Sequence, residues 1–384
     1  MSSQDYAPKK KIASFYPPQR HLMGPGPSEI HPRVFSAMGK PTIGYLDPVF
    51  VEMMEELKES LRYAFQTHNA LTFPVSGPGS VGMEMCFVNM IDPGDKVIVC
   101  RNGVFGGRMI ENVQRCGGVA VVVEDRWGTP VDPQKVEDAL KANADAKILA
   151  FVHAETSTGV QSDAKILAAL ARKHGALTIM DAVTSLGGTP VLTDEWGIDA
   201  VYSASQKCLS CTPGLSPISF SDRVVEMVKN RKEKVHSWFL DMNLLLGYWG
   251  ATNRTYHHTA PTNSLYALHE ALLMLREEGL ENAWARHQRN HKALKAGLQT
   301  LGMSYLVEEA APAAADERGD RACREWTRRK CAVGCCWITT LKSGPGWATS
   351  PARSGASASW ATPARWRTSC SRSAHWRRCS RTWA

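Results

Sequence analysis

One lysine in the stretch SASQKCLSCTPG, residues 203–214, has the setting of a group that could do chemistry. Lys207 is the only charged residue there, and its neighbours are small or polar apart from one leucine. An ordinary surface loop could have this composition. Alternatively, burial favours the neutral amine, and a neutral amine can attack a carbonyl carbon. The small neighbours would then leave room for a lysine that moves while it is bonded to a carbonyl cofactor.

An aspartate stands 26 residues before this lysine, in ALTIMDAVTSLGG, where Asp181 ends a run of strand-forming residues. A carboxylate in this place could cap a helix or anchor a loop. It could also pair with a pyridine nitrogen. Keeping that nitrogen protonated preserves the ring as an electron sink, which is the task that pyridoxal phosphate enzymes give to an aspartate.

A glycine-rich turn precedes both residues, in PVSGPGSVGMEMCFVNM (74–90), and it opens a helix-forming stretch. Backbone N–H groups at a helix N-terminus bind phosphate through hydrogen bonds and the helix dipole. Gly77 and Gly79 would let the backbone approach closely, and Ser80 would add a hydroxyl. Such turns are at least as common without a ligand, and this one is neither a P-loop nor a dinucleotide-binding motif. Turn, aspartate and lysine nevertheless come in the order that a pyridoxal phosphate site requires.

The elements that must position these groups alternate between strand-like and helix-like segments from about residue 70 to 225. The segment DAKILAALARKHG (163–175), for example, has apolar residues at helical spacing before a glycine. Such alternation predicts an α/β fold, a mostly parallel sheet with helices on both faces, whose ligands bind at the carboxyl ends of the strands. The predicted strands are KVIVC (96–100), VAVVV (119–123), AKILAFV (146–152), ALTIM (176–180) and DAVYSA (199–204).

The charge of the chain is unevenly distributed. Residues 318–384 hold 14 Lys and Arg against Asp320 and Glu325, whereas the preceding part has 31 basic and 35 acidic residues. The body of the protein therefore has no positive excess that would indicate a nucleic-acid partner. No apolar run reaches the ~20 residues of a membrane span, and the N-terminus lacks a secretory signal, so a cytoplasmic protein is expected. Cys208 and Cys211 form a C-x-x-C without a second ligand pair, so no metal site is predicted.

Five stretches of the sequence closely resemble the class V aminotransferases, pyridoxal phosphate enzymes of fold type I. Within that family, the sequence is similar to the alanine–glyoxylate and serine–pyruvate (serine–glyoxylate) aminotransferases. The resemblance runs almost without gaps from about residue 20 to 305. The stretches are LMGPGPSEIHPRVFSAM, HAETSTGV, MDAVTSLGGTP, YSASQKCLSCTPGLSPISFS and YHHTAPTNSLYALHEAL.

The resemblance implies a role for each residue of the cofactor site. Lys207 would form the internal aldimine and then carry the proton between the substrate α-carbon and the cofactor. Asp181 would pair with the pyridine nitrogen. Phe105 would stack on the ring, where relatives often have tryptophan, and Thr156 would hydrogen-bond near the cofactor's O3′. The phosphate would be held by Gly79, Ser80 and Gln206.

The resemblance also implies a homodimer. Tyr256 and Thr259 would reach the phosphate in the neighbouring subunit, so that each site would be complete only in the dimer. A packed polar cluster is the alternative for Tyr256, His257 and His258, and for the two histidines we favour it.

The predicted activity is ping-pong transamination from alanine or serine to glyoxylate or pyruvate, in a substrate pocket that the resemblance implies. Gly24 and Gly26 would line it by close backbone approach, and Tyr45 would lie at its mouth. One alternative is a cysteine desulfurase-like enzyme, which would need a nucleophilic cysteine in a mobile loop. Another is a catalytically impaired, non-enzymatic product whose basic tail binds nucleic acid.

The resemblance stops at about residue 310, where the composition changes. Residues 318–384 contain seven of the 12 Trp and six of the 11 Cys but no Phe, Tyr or Met, and only one Ile and one Leu. Such a segment cannot supply the apolar faces of the smaller α+β domain that the family has here. The predicted organisation is an N-terminal arm (1–20), a large cofactor domain (21–263), linking helices (264–310) and an aberrant segment (311–384).

A shifted reading frame explains this segment. One permitted set of codons for residues 353–361, RSGASASWA, gives Val-Trp-Arg-Ile-Gly-Leu-Met-Gly when it is read two bases later. The family is expected to have a motif of this kind here, with an arginine that clamps the substrate carboxylate through two parallel hydrogen bonds. In the written frame that arginine codon is split between Gly355 and Ala356, so the clamp is missing. An insertion or deletion of one or two bases before about residue 313 is the predicted cause.

Overall fold

The computed structural model describes residues 10, 12–22, 24–231, 233–250 and 254–307. The predicted aberrant segment, 311–384, with the missing arginine clamp, lies outside the described residues. The predicted domain boundaries therefore stay predictions.

The centre of the fold is a seven-stranded sheet with the spatial order β1-β9-β8-β7-β4-β2-β3. Strand β9 pairs antiparallel with β1 and β8, and the other pairs of this sheet are parallel. The predicted mostly parallel sheet is confirmed. The strands are β1 (Leu71–Ser76), β2 (Lys96–Arg101), β3 (Val119–Glu124), β4 (Ile148–Val152), β7 (Leu177–Asp181), β8 (Ala200–Tyr202) and β9 (Leu215–Phe220), and a small hairpin consists of β5 (Ala154–Glu155) and β6 (Val160–Gln161).

Helices connect the strands and cover the sheet. The predicted linking helices are present as two helices, Thr262–Glu278 and Leu280–Thr300, and Gly279, with a positive φ of 82°, separates them. A residue with positive φ ends the first helix, and glycine adopts such a conformation readily. The helices are α1 (Pro32–Met38), α2 (Pro48–Phe65), α3 (Gly79–Met90), α4 (Val104–Arg115), α5 (Pro133–Ala142), α6 (Ala164–Lys173), α7 (Thr193–Trp196), α8 (Asp222–Lys229), α9 (Met242–Leu245), α10 (Thr262–Glu278) and α11 (Leu280–Thr300), with a π-helical turn over Leu246–Gly250.

The central strands are buried on both faces, which is why they read as continuous apolar runs. Every residue of β4 is buried, whereas β3, at the edge, exposes Val119 and Val122. Because β7 and β8 are parallel neighbours, their carboxyl ends meet at one edge of the sheet, and the loop with Lys207 follows directly. In the part of the chain that the structure describes, no helix is both long and apolar enough to cross a membrane.

Candidate active site

Asp181, the last residue of β7, is 2% exposed, and each of its carboxylate oxygens accepts a hydrogen bond. Its Oδ1 accepts a hydrogen bond from the backbone N–H of Val183 at 2.8 Å, and its Oδ2 accepts one from the Tyr202 hydroxyl at 2.8 Å. Burial raises the pKa of this carboxyl to about 7, although both hydrogen bonds favour the anion. Tyr202 had no predicted role, and only its place at the end of the neighbouring strand could have indicated this contact.

Lys207 is half-buried in the loop after β8. Burial lowers the pKa of its amine, and the charge of Asp181 opposes this effect. Lys207 Nζ donates a hydrogen bond to the carbonyl oxygen of Pro25, 2.5 Å away. The predicted lysine and the predicted GPGPS stretch are therefore in contact, although 182 residues separate them in sequence.

The segment of residues 24–28 lies directly over the lysine. Gly26 has a positive φ of 135°, and a Cβ added to it would lie 2.8 Å from both Cδ and Nζ of Lys207. The hydroxyl of Ser28 fastens the segment, because it donates to the carbonyl oxygens of Gln206 at 3.2 Å and Lys207 at 2.9 Å. Gly24 is half-buried and has no neighbour within 4 Å of an added Cβ. Ser28 was missed by sequence reasoning, although it belongs to the quoted motif.

The predicted phosphate end is the start of α3. Its N-cap is Pro78, which provides no side-chain hydrogen bond to the first amides of the helix. A Cβ at Gly79 would lie 3.0 Å from Cβ of Ala204, so the turn packs closely on the chain that leads to the lysine. Ser80 is exposed. Gln206 Oε1 is buried and has no hydrogen-bond partner in the described part of the chain, which is unusual for a buried polar atom.

Phe105 and Thr156 belong to two neighbouring turns. Phe105 is half-buried in the first turn of α4, and the guanidinium of Arg108 lies 4.7 Å from the centre of its ring. Thr156 follows β5, and its hydroxyl donates to the Thr184 hydroxyl at 3.3 Å. Glu155, which precedes Thr156 and had no predicted role, accepts a hydrogen bond from the backbone N–H of Phe105 at 3.1 Å.

Tyr256 and Thr259 lie at the surface of the single chain. The Tyr256 ring is 55% exposed, its hydroxyl is 3.3 Å from the Thr259 hydroxyl, and its centre is 5.3 Å from that of Tyr45. Tyr45, predicted at the mouth of the pocket, is half-buried. Among the described residues, no hydrogen bond or ring contact joins Tyr256 or Thr259 to Lys207 of the same chain. Their contact with a neighbouring subunit stays a prediction.

His257 and His258 belong to an aromatic cluster. Their Nδ1 atoms are 2.8 Å apart, Trp238 stacks on His257 with ring centres 4.5 Å apart, and Nε2 of His258 is 3.2 Å from the Ser76 hydroxyl. Burial lowers the pKa of His258 to about 4, with a further contribution from His257. This neutral, packed arrangement agrees with the role favoured for the two histidines. Within the residues that the structure describes, no group of His, Cys, Asp and Glu could hold a metal ion.

Comparison with known proteins shows which family matches the chain. The class V aminotransferase family model matches residues 37–318. Alanine–glyoxylate aminotransferase of Oryctolagus cuniculus is 40% identical over 297 residues, which cover 77% of this chain and 75% of the relative. (S)-Ureidoglycine–glyoxylate transaminase of Bacillus subtilis is 37% identical over 311 residues, covering 76% of this chain and 74% of the relative.

Solved structures agree. The crystal structure of alanine–glyoxylate aminotransferase from Nostoc sp. superposes with a TM-score of 0.76 at 44% identity, covering 78% of this chain and 79% of that one. These matches confirm the predicted α/β fold of type I, the enzyme class and pyridoxal phosphate as the cofactor. The chain therefore belongs to the class V aminotransferases.

Proposed function

We propose that this protein transfers an amino group from alanine or serine to glyoxylate or pyruvate by ping-pong transamination. Two relatives with substantial identity are named for glyoxylate as acceptor, and their donors are alanine and ureidoglycine. The observation that carries the proposal is a single arrangement: Lys207 Nζ beneath the Pro25 carbonyl, with the buried Asp181 close enough for its charge to act on the lysine.

The residues of the site fit pyridoxal phosphate. The start of α3 has no side-chain cap, so the first N–H groups of the helix can donate to a phosphate. A carboxyl whose pKa burial has raised to about 7 is well suited to a protonated ring nitrogen, which would restore its charge. We assign the phosphate to Gly79, Ser80 and Gln206, the ring nitrogen to Asp181, the ring face to Phe105 and the O3′ region to Thr156.

Within this site each side chain has a defined task. The bound cofactor supplies an electron sink for the substrate's α-carbon and a carbonyl that takes up the amino group. Lys207 Nζ would remove the proton from the substrate α-carbon, hold it and deliver it to the carbon that takes up the amino group, for which its lowered pKa is favourable. Gly26, without a side chain, leaves the space in which that amine moves, and Asp181 holds its compensating charge at a fixed place.

The site extends to a second subunit in our proposal. Tyr256 and Thr259, exposed in the single chain, would contact the phosphate of the neighbouring subunit in a homodimer. Tyr45, whose ring is close to that of Tyr256, would form the mouth of the pocket together with Gly24. We further propose a cytoplasmic location.

Absorbance of the purified protein tests the assignment of the lysine. Protein supplied with pyridoxal phosphate should show a band near the edge of the visible range, and Lys207→Ala should remove it together with the transamination of alanine and serine with glyoxylate. Lys229→Ala, at an exposed lysine of α8, is the matched control and should keep both. A band that persists unchanged in Lys207→Ala would overturn the proposal.

A further inference from the structure

The first turn of α4 is held by a carboxylate from another element. Glu155, the last residue of β5, is 1% exposed. Its Oε2 accepts from the N–H of Phe105 at 3.1 Å, and its Oε1 accepts from the N–H of Ser157 at 3.0 Å and from the Ser157 hydroxyl at 2.6 Å. The Ser157 hydroxyl oxygen in turn accepts from the N–H of Val104 at 3.0 Å. Glu155 thus binds one of the first amides of α4 directly and another through Ser157.

The residue before the helix has no side chain, and the carboxylate of Glu155 fills the space beside it. Gly103 occupies the N-cap of α4 and provides no side-chain hydrogen bond. A Cβ added to Gly103 would overlap with Cγ and Cδ of Glu155. The place that a serine, threonine or aspartate usually fills at a helix N-terminus is therefore occupied by a side chain 52 residues further along the chain.

We infer that Glu155 is a positioning residue, which fixes the ring of Phe105 over the cofactor by holding the backbone of that residue. The inference rests on the proposed function, because it takes from it the contact between Phe105 and the cofactor ring. Its physical basis is that the amide held is that of Phe105 itself. A ring at the second position of a helix moves with any tilt or fraying of the first turn, so a fixed first turn fixes the ring.

Both oxygens of Glu155 accept from backbone N–H groups, and this makes the inference testable with a nearly isosteric change. Both carboxylate oxygens accept hydrogen bonds, whereas the amide of a glutamine has one accepting oxygen and an NH₂ that only donates. In Glu155→Gln one of the two oxygens is replaced by a donor that faces an N–H donor. The amide oxygen of the glutamine can accept from either Phe105 or Ser157 but not from both, so the change weakens the hold on the first turn of α4 and leaves no cavity.

The experiment measures how the full-length protein binds pyridoxal phosphate, by absorbance titration and by the visible circular dichroism of the bound cofactor. We expect Glu155→Gln to raise the dissociation constant about fivefold or more and to reduce the dichroic signal of the bound ring. Ser157→Ala removes the hydroxyl's bonds to Glu155 and Val104 but keeps the carboxylate and its bond to the Phe105 N–H, so a smaller change in the same direction is expected. It also provides a second test should Glu155→Gln fold poorly.

Asp132→Ala is the matched control, since it removes a side-chain cap from α5. It should lower the melting temperature as Glu155→Gln does while leaving the cofactor affinity and the dichroism unchanged. In a Phe105→Ala background, Glu155→Gln should add no further loss of affinity, because a residue that acts through Phe105 has nothing left to position.

The outcomes separate this inference from the proposed function. If Phe105→Ala weakens cofactor binding and Glu155→Gln does not, the inference is wrong and the proposed site stands. Equal effects of Glu155→Gln and Asp132→Ala on affinity, or full additivity with Phe105→Ala, would also contradict it. If Phe105→Ala leaves affinity and dichroism unchanged, the proposed contact of this residue with the cofactor fails and the inference fails with it.

Discussion

Burial acts in opposite directions on the two titrating residues of the site. It raises the pKa of Asp181 to about 7 and lowers that of Lys207, so both groups are shifted toward their neutral forms. Hydrogen bonds from Val183 and Tyr202 partly offset the shift at the aspartate. An added positive charge beside Asp181 would therefore restore the aspartate anion.

A pH-dependent loss of stability follows for the protein without its cofactor. Because the pKa of Asp181 is higher in the folded than in the unfolded chain, its contribution to stability is complete below about pH 4 and is lost as the pH rises to about 7. Asp181→Asn should remove this part of the pH dependence. Chemical denaturation between pH 4 and 8 measures it, and parallel curves for both proteins would contradict the assigned burial.

The site residues differ in how far sequence could predict them. Lys207 and Asp181 were predicted because each follows or ends a predicted strand, where ligands bind in this kind of sheet, and the glycine-rich turn because of its glycines and the helix after it. Glu155 and Ser28 were missed although both lie inside the quoted motifs. Their partners are backbone groups far away in sequence, and a backbone group leaves no trace in the residue types.

At the scale of elements, the segment of residues 24–28 stands out because it crosses the lysine loop. Gly26 lies against the side chain of Lys207, and Ser28 binds the backbone carbonyl groups of Gln206 and Lys207, which flank the α-carbon of the lysine. The position of the segment thus depends on the lysine loop, and the freedom of the lysine depends on the segment.

Gly26→Ala should therefore impair catalysis more than folding. The new Cβ would lie 2.8 Å from Lys207 Nζ, at a φ that L-residues rarely adopt, and we expect kcat/KM to fall about tenfold or more. Gly175→Ala is the control, since that glycine also has a positive φ but no neighbour within 4 Å. Gly175→Ala should lower the stability of the protein and leave kcat/KM unchanged. Equal losses of kcat/KM in both variants would refute the proposed contact.

The elements themselves were predicted unevenly. Five strands of the central sheet lie close to their predicted ranges, because strands buried on both faces are continuous apolar runs. Strands β1 (LTFPVS) and β9 (LSPISF) were missed, since each contains proline and serine. Pro74 and Pro217 are opposite each other in that antiparallel pair, so neither strand has the uniform apolar pattern of the others.

For the whole molecule, the proposed homodimer divides each site between two chains. Lys207 and Asp181 belong to one subunit, and Tyr256 and Thr259 would come from the other. The exposure of Tyr256 in the single chain is the structural basis of this division.

Mixing two variants tests whether each site is shared between two subunits. In a hybrid of Lys207→Ala and Tyr256→Ala subunits, one site carries both changes and the other carries neither. After complete exchange of equal amounts, about a quarter of all sites should be intact, and transamination should return to about that fraction of the wild-type rate. Mixing Lys207→Ala with Asp181→Asn should restore nothing, because both changes then affect the site of their own chain. Equal recovery in both mixtures would argue against the shared site.

The end of the chain provides a prediction about the gene. Residues 311–384 lie outside the described part, and the family match ends at residue 318. We expect the intact mass of protein from the native gene to differ from the written sequence if the shift is a sequencing error. A mass that agrees with the written tail would establish a true frame shift, and restoring the frame should then lower the KM for the amino acid through the recovered arginine.

The segment of residues 24–28, which covers Lys207, has one more consequence. It presents to the lysine a carbonyl oxygen from Pro25 and a glycine without a Cβ, so that its inner surface is peptide backbone. Except at Gly26, where an added Cβ would meet Lys207, point substitution leaves such a surface unchanged, since every amino acid has the same main chain. A change of amino donor during evolution, or in the laboratory, has to come from insertions and deletions in residues 24–28, or from side chains elsewhere at the pocket, such as Tyr45.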